Sequence, residues 1–134
     1  MSGITDLPTL LQTLAPIVSD EEYVFATIRD ESELTQMDPI GVFREKEAIT
    51  VICRRSQAQA AGLPFEGSYR QITLSVHSSL QAVGLLAAVT AALAAEGIPC
   101  NAVSAFYHDH LFVPAHLAAQ AVSKLSQLSF SKHA

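Results

Sequence analysis

The sequence is poor in basic residues and in charge of either sign. Of its 134 residues only 8 are Lys or Arg, charged residues make up 16%, and the formal net charge is −5. A protein that neutralises nucleic-acid phosphates needs a basic surface, so we expect no nucleic-acid partner. The apolar fraction of 49% is instead typical of a folded globular domain.

Cysteines and long apolar runs are scarce as well. Cys53 and Cys100 lie far apart in apolar surroundings, which is typical of reduced core residues rather than of a disulfide framework. The most apolar stretch, residues 82–95, is about fourteen residues long and too short to cross a bilayer. Residues 1–6 lack the pattern of a signal peptide. We therefore expect a cytoplasmic protein without a membrane partner.

Motifs that would identify an enzyme are also missing. The chain contains neither a Gly-x-Ser-x-Gly nucleophile motif nor a Walker-type phosphate loop. The acidic groups at residues 20–22 and 30–31 are interpreted as solvated charge. We therefore expect no enzymatic activity and no bound cofactor.

The first half of the chain predicts a mixture of short helices and strands. Leucines at helical spacing follow Asp6, a plausible cap, whereas runs rich in β-branched and aromatic residues indicate strands. In order, the pattern predicts a helix over 6–15, a strand over 23–28, a loop over 30–38, strands over 41–44 and 49–53, and a short helix capped by Ser56 and ended by Gly62.

The second half has a clearer pattern. Ile72 and Leu74 alternate with Gln71 and Thr73, as a half-buried strand requires. The remaining predicted elements are a helix over 80–95 ended by Gly97, strands over 100–107 and 111–113, and a helix that begins at Pro114. This order is strand, helix, strand, strand, helix, which is a ferredoxin-like βαββαβ unit without its last strand.

The fold class that follows is α+β, with an antiparallel sheet and helices on one face. The first half has one strand more than its own pattern needs, and it could supply the last strand that the second half lacks. A weak internal repeat agrees with this arrangement, since Phe43 to Glu47 precede Ile49 as Phe106 to His110 precede Leu111. We therefore predict two intimately packed ferredoxin-like halves in tandem.

Three neighbouring residues, His108, Asp109 and His110, suggest two alternative roles. Imidazole and carboxylate groups are suitable ligands for zinc or iron, which would fit a small metal-dependent enzyme. On an extended strand, however, His108 and His110 point to one side and Asp109 to the other. We therefore favour polar residues of a pocket or hairpin, or of a solvated turn, and expect no bound metal.

The start of the long helix in the second half is suited to an anion. His77, Ser78 and Ser79 precede it, where free backbone N–H groups and the helix dipole favour a carboxylate. A plain helix cap is the alternative. Gly84 costs about 1 kcal/mol relative to Ala inside a helix, and either close packing or ligand access explains a glycine there.

Several segments together resemble a bacterial family of ACT-domain proteins. The most specific ones are in the second half, and the likeness covers nearly the whole chain. The segments are residues 72–85, 97–101 and 107–114, with Tyr23-Val24-Phe25 and Phe43-Arg44-Glu45 in the first half. The resemblance implies two ACT-like units, residues 1–66 and 67–134, related to the tandem ACT domains of the CASTOR amino-acid sensors and of aspartate kinases.

The resemblance also implies a binding site for an amino acid. In such modules the ligand sits between two units, held by the loop from the first strand into the first helix and by the facing second strand. Carried over by position, the ligand-binding residues are His77, Ser78, Ser79, Val83 and Gly84 in the loop, and Asn101, Ser104, Tyr107, His108 and Asp109 in the strand region. The helix start would bind the ligand carboxylate, and Asp109 its ammonium group.

We therefore predict a small-molecule-binding regulatory or sensor protein without a catalytic domain. Its ligand is expected to be an amino acid, and its assembly a homodimer formed through sheet edges or helices. Two alternatives stay open at this point: the metal-dependent enzyme that uses His108, Asp109 and His110, and a structural or partner-binding module that binds no small molecule.

Overall fold

The computed structural model describes residues 6–75 and 84–131. They form six strands, four α-helices and two 3-10 helices. In chain order these are α1 (Leu7–Thr13), β1 (Pro16–Ile28), a 3-10 helix (Glu31–Gln36), β2 (Gly41–Arg44), β3 (Ile49–Arg54), α2 (Arg55–Ala60), β4 (Tyr69–Leu74), α3 (Leu85–Ala95), β5 (Asn101–Ser104), β6 (Asp109–Pro114), a second 3-10 helix (Ala115–Leu117) and α4 (Ala118–Ser131).

The chain divides into two compact units. Unit 1 contains Met1–Ser19 and Arg70–Ala134, and unit 2 contains Asp20–Tyr69. Strand β1 therefore begins in unit 1 and continues into unit 2. The predicted division of the sequence at residues 66 and 67 stays a prediction.

The sheet of unit 1 contains the start of β1 followed by β4, β6 and β5. The Ser75 N–H donates to the Ala15 carbonyl at 2.8 Å, and the Gln71 N–H donates to the Ser19 hydroxyl at 3.1 Å. The start of β1 therefore fills the position of the last strand of the βαββαβ unit, which the sequence of the second half lacks. This is the α+β, ferredoxin-like architecture that the sequence predicted.

The core of unit 1 lies between this sheet and helices α1, α3 and α4. Ile72 and Leu74 of β4 are fully buried, whereas Gln71 and Thr73 on the opposite face are half-buried. The predicted alternation along β4 is therefore confirmed. The same cluster contains Leu14, directly after α1, and from the helices Leu10, Leu11, Leu85, Val89, Leu93, Ala118, Ala121 and Leu125.

Unit 2 has its own, smaller core. Strands β1 and β3 pair in antiparallel fashion from Tyr23 with Arg54 to Ile28 with Ile49, and β2 pairs with the other edge of β3. The buried side chains belong to β1, β3, α2 and the residue after the first 3-10 helix: Val24, Ala26, Ile28, Met37, Val51, Cys53 and Ala58. The predicted hairpin of β2 and β3 is confirmed.

Helix α3 differs from its prediction at its start. Gly84 has φ +99°, a left-handed conformation, and is the N-cap of a helix that begins at Leu85. The prediction that Gly84 lies inside this helix is therefore wrong, and the predicted start at Leu80 lies outside the described residues. A Cβ at Gly84 would lie 3.1 Å from a methyl group of Leu7 in α1. Backbone conformation and close packing thus both favour glycine here, and the packing partner is a helix.

Three further expectations for the first half need correction. Strand β1 begins at Pro16 rather than Tyr23, because polar residues 19–22 occupy exposed or half-buried strand positions. The expected loop over 30–38 contains a 3-10 helix with a capping box, formed by Asp30 and Glu33. Ser56 lies inside α2 and does not cap it, since the N-cap is Arg54.

The predicted helix ends at glycine are confirmed. Gly62 follows α2 and Gly97 follows α3, with φ values of +70° and +71°. The Leu63 N–H donates to the Ala58 carbonyl, and the Ile98 N–H donates to the Leu93 carbonyl, both at 3.0 Å. Both ends are therefore Schellman motifs, which need a left-handed residue.

Candidate functional site

The two units contain the same hairpin. In unit 2, β2 pairs with β3 from Gly41 with Ile52 to Arg44 with Ile49. In unit 1, β5 pairs with β6 from Asn101 with Phe112 to Ser104 with Asp109. Every pair of the second hairpin lies 60 positions after its counterpart in the first. The internal repeat seen in the sequence is real, but its alignment of Phe43 with Phe106 is wrong, because Phe43 corresponds to Val103.

The candidate site in unit 1 is only partly within the described residues. His77, Ser78, Ser79 and Val83 lie outside them. Gly84, Asn101, Ser104, Tyr107, His108 and Asp109 lie within them. The requirement for glycine at position 84 is explained by packing against Leu7, and its role at a ligand stays a prediction.

The hairpin turn of unit 1 lies at the same end of the sheet as the last residues of β4. The Thr73 hydroxyl is 3.0 Å from His110 Nδ1, so the start of β6 lies beside the last residues of β4. The Ala105 N–H donates to the His108 carbonyl at 3.0 Å and closes the turn just before β6. The turn over 105–108 and the end of β4 at Leu74 are therefore neighbours.

The strand residues of the candidate site do not all lie together. Ser104 pairs directly with Asp109, and paired residues share one face of a sheet. Asn101 pairs with Phe112, so it lies on the opposite face, and about 10 Å from Ser104 along the strand. Ser104, His108 and Asp109 thus form one group near the turn, and Asn101 lies apart from it.

His110 makes polar contacts that the sequence did not predict. The Gln71 side-chain amide nitrogen lies 3.0 Å from His110 Nδ1, as the Thr73 hydroxyl does. Since that nitrogen only donates, Nδ1 accepts and the imidazole is neutral. Burial lowers the pKa of His110, and His108 lowers it further, while Asp109 opposes the shift. The outward alternation of Gln71 and Thr73 on β4 was the sequence signal for this cluster.

The hairpin turn of unit 1 carries two exposed aromatic rings. Phe106 is 61% exposed and Tyr107 is 63% exposed, and their rings meet edge to face with centroids 4.9 Å apart. The turn of unit 2 has Lys46 and Glu47 at the corresponding positions. The same backbone turn therefore forms without aromatic residues, so the fold does not require Phe106 and Tyr107.

A metal site receives no support from the described residues. The rings of His108 and His110 lie 6.4 Å apart, centroid to centroid. No group of three or more His, Cys, Asp or Glu residues within 6–75 and 84–131 could hold a metal ion. Within the same ranges, no helix has the length and apolarity needed to cross a membrane.

Family models match both parts of the chain. An ACT domain model matches residues 2–70, and a second ACT domain model matches residues 66–127. The chain belongs to the ACT-domain family. ACT domains are regulatory modules, so the family assignment supports a regulatory role. No protein of curated function matches the chain.

Solved structures agree with this assignment. A Vibrio cholerae protein of unknown function is 40% identical, with a TM-score of 0.85, and the match covers 96% of this chain and 99% of that one. The regulatory subunit of aspartate kinase from Thermus thermophilus, in its ligand-free form, is 11% identical with a TM-score of 0.59, over 88% of this chain and 98% of that one.

A longer enzyme contains the same fold as one part. Escherichia coli aspartokinase III, in complex with aspartate and ADP, is 14% identical with a TM-score of 0.66, and the match covers 87% of this chain but 33% of the enzyme. At these identities both kinase structures support the fold alone.

Proposed function

We propose that this ACT-domain protein is a regulator that binds a free amino acid in unit 1 and has no catalytic activity of its own. The observation that supports the site most directly is the contact between Thr73 and His110. This contact brings the polar turn of the β5–β6 hairpin to the end of the sheet at which β4 ends and the chain continues towards α3.

The polar groups at this end of the sheet are suited to the two charged groups of an amino acid. Asp109 is half-buried and would bind the ligand ammonium group, with Ser104 and His108 beside it. The segment of His77, Ser78, Ser79 and Val83, which leads to Gly84, would bind the carboxylate through backbone N–H groups. Tyr107 would cover the ligand, and Asn101 is expected to contribute least because it lies on the other face.

The proposal includes a homodimer in the cytoplasm. All four residues of β5 are exposed, and an exposed edge strand is a template for pairing with another chain. Val103 is also 42% exposed, which favours a second copy as the partner of this edge. Cys53 and Cys100 are both unpaired, as expected in a reducing compartment. Light scattering of the purified protein measures the assembly, and cell fractionation measures the location.

Thermal denaturation with each of the twenty amino acids tests the function. A ligand that binds only the folded state at a hundred times its Kd stabilises the protein by about 2.7 kcal/mol. For a domain of this size that raises Tm by roughly 5 to 15 °C. If no amino acid raises Tm, the proposed ligand class is wrong.

A pair of variants tests the site separately. Asp109→Asn removes the carboxylate with little change of shape and should weaken the amino-acid affinity about tenfold or more, because a hydrogen bond to a charged group is worth about 1.5–3 kcal/mol. Asp20→Asn removes an exposed carboxylate of unit 2 and should leave the affinity unchanged. Equal affinities of both variants for the amino acid would show that the site lies elsewhere.

A further inference from the structure

A polar cleft of about 370 Å³ lies in unit 2 and is lined by Glu21, Glu22, Arg55, Ser56 and Gln59. Its volume lies within the range of small-molecule sites, roughly 300–1,000 Å³. We infer that this cleft binds a small organic cation that carries primary ammonium groups. The inference concerns other residues and another ligand class than the amino-acid site proposed for unit 1, and does not depend on it.

The carboxylates of the cleft are held in position by neighbouring side chains. Arg55 Nη1 donates to Glu22 Oε1 at 3.3 Å, and the Ser68 hydroxyl donates to the same oxygen. Glu21 Oε1 lies 3.8 Å from Arg54 Nη1. The side chains of Glu21 and Glu22 are 53% and 36% exposed, which agrees with the interpretation of these acids as solvated charge. Carboxylates that are already oriented lose less side-chain entropy when a ligand binds.

Arg55 itself is oriented from two sides. Besides its contact with Glu22, its guanidinium group lies over the ring of Phe65, 5.8 Å from the centroid, which is within the distance of a cation–π contact. Arg55 is therefore already paired with Glu22, and Arg54 lies between Glu21 and Asp38, at 3.8 and 4.0 Å. Three carboxylates thus stand against two guanidinium groups, which leaves this surface with a net negative charge. That charge favours a cationic ligand and disfavours an anionic one.

The donor and acceptor groups of the cleft distinguish an organic cation from a metal ion. An ammonium group donates three hydrogen bonds and needs acceptors, which the two carboxylates, the Ser56 hydroxyl and the Gln59 side-chain carbonyl can provide. Among the residues that the structure describes, no group of three or more His, Cys, Asp or Glu side chains could hold a metal ion. Primary amines are therefore the class of cation that fits.

Unit 1 shows that the fold does not require these polar residues. Strands β3 and β6 have the same pattern of exposure along their six residues, and the chain continues from each into a helix. At the 60-residue offset, Arg55, Ser56 and Gln59 correspond to Ala115, His116 and Ala119. The element thus forms with two alanines in these places, and the charged set is particular to unit 2.

Titration calorimetry with 1,4-diaminobutane at an ionic strength of about 0.1 M, where the Debye length is about 10 Å, tests the inference. Saturable binding to the whole 134-residue chain is expected, and neither 1,4-butanediol, which has the same length without charge, nor glutarate, which is anionic, should bind. Glu21→Gln and Glu22→Gln should each weaken the binding of the diamine about tenfold or more. Gln keeps an acceptor oxygen for Arg55 and Ser68, so the wall is expected to stay in place.

Glu47→Gln is the matched control, because Glu47 is an exposed residue of the same unit outside the cleft. It removes the same charge and should leave the affinity for the diamine within about twofold, because an exposed charge outside the site contributes little at a distance. If Glu47→Gln weakens diamine binding as much as Glu21→Gln does, the binding is non-specific attraction to an acidic protein, and the inference fails. It also fails if glutarate binds as well as the diamine, or if no saturable binding of the diamine occurs. Each of these outcomes is independent of the amino-acid screen.

Discussion

The two hairpins, β2–β3 in unit 2 and β5–β6 in unit 1, have the same backbone pairing and different surfaces. Val51 and Leu111 occupy the same position and are both fully buried. At exposed and half-buried positions the residues differ in kind: Thr50 against His110, Gln57 against Leu117, and Glu47 against Tyr107. The shared element therefore needs an apolar inner face. The side chains outside that face are not needed for the backbone pairing and can have a role in one unit only.

The largest expected effect comes from the shared inner face. Leu111→Ala should lower the free energy of unfolding by about 2–5 kcal/mol, because it leaves a cavity in a fully packed core. Val51→Ala in unit 2 removes two carbon atoms instead of three and should cost less. Urea unfolding followed by circular dichroism measures both. Val42→Ala on β2 is the control, because it removes the same two carbon atoms as Val51→Ala from a side chain that is 39% exposed, and it should cost clearly less than Val51→Ala. A cost for Val42→Ala equal to that for Val51→Ala would contradict the assignment of the inner face.

A smaller effect is expected at the glycines with positive φ. Gly84→Ala should cost about 2–3 kcal/mol, because a left-handed alanine is strained by about 1–2 kcal/mol and its Cβ would crowd Leu7. Gly62→Ala in unit 2 has the strain but nothing within 4 Å of the added Cβ, so it should cost less. Chemical unfolding of both variants gives the difference. That difference should disappear when Leu7→Ala is combined with Gly84→Ala, and its persistence would refute the packing explanation.

A gain of stability is expected where unit 2 lacks an apolar residue that unit 1 has. Gln57 Oε1 is buried and has no hydrogen-bond partner within the part of the chain that the structure describes, and its counterpart Leu117 packs against the core of unit 1. Gln57→Leu should therefore raise the free energy of unfolding by about 1 kcal/mol. The exchange Leu117→Gln should lower it. Thermal and urea unfolding measure both, and a loss of stability in Gln57→Leu would show that the glutamine is satisfied.

The smallest expected effect is a dependence of stability on pH caused by His110. Unit 2 has no such effect at the corresponding position, because Thr50 does not titrate. The pKa of His110 is lower in the folded state than in the unfolded chain, so the unfolded chain binds more protons as the pH falls below about 6.5. Stability should therefore be complete above that pH and decrease below it, until the folded-state pKa is passed. NMR titration of the imidazole measures the shift directly.

His110→Thr gives unit 1 the residue that unit 2 has at this position, Thr50. The unfolding free energy of this variant, measured by urea titration, should depend less on pH below about 6.5 than that of the wild type. An imidazole that titrates above the ordinary histidine value of about 6.5 would contradict the neutral state inferred from Gln71 and Thr73.

Much of the fold could be predicted because it depends on patterns of near neighbours. The alternation at Ile72 and Leu74 and the glycines at 62 and 97 report local backbone conformation, and the structure confirms each of them. The start of α3 could not be found this way, since a continuous apolar run does not reveal that Gly84 is left-handed. The capping box of Asp30 and Glu33 was visible in the sequence, and the polar composition around it was misleading.

The candidate site was predictable only in part. Ser104 and Asp109 are close because they pair across a hairpin of two strands that are consecutive in the sequence. Such a contact can be predicted from the order of the strands. The contact of His110 with Gln71 and Thr73 depends on the lateral register between β4 and β6, which the hydrophobic pattern of either strand does not specify. For the same reason the cleft of Glu22 and Arg55 could not be anticipated, because its walls come from two elements that are distant in sequence.

The position of strand β1 determines which fragments of this protein can fold as a complete unit. The first residues of β1 complete the sheet of unit 1, although all other strands of that sheet are encoded from residue 69 onwards. A fragment that starts at residue 67 would leave the β1-facing edge of β4 without its partner, and an uncovered strand edge promotes aggregation. Shortened versions of this protein should therefore keep residues 16–19, or graft them after α4 as a circular permutation, if the second ACT unit is to be studied alone.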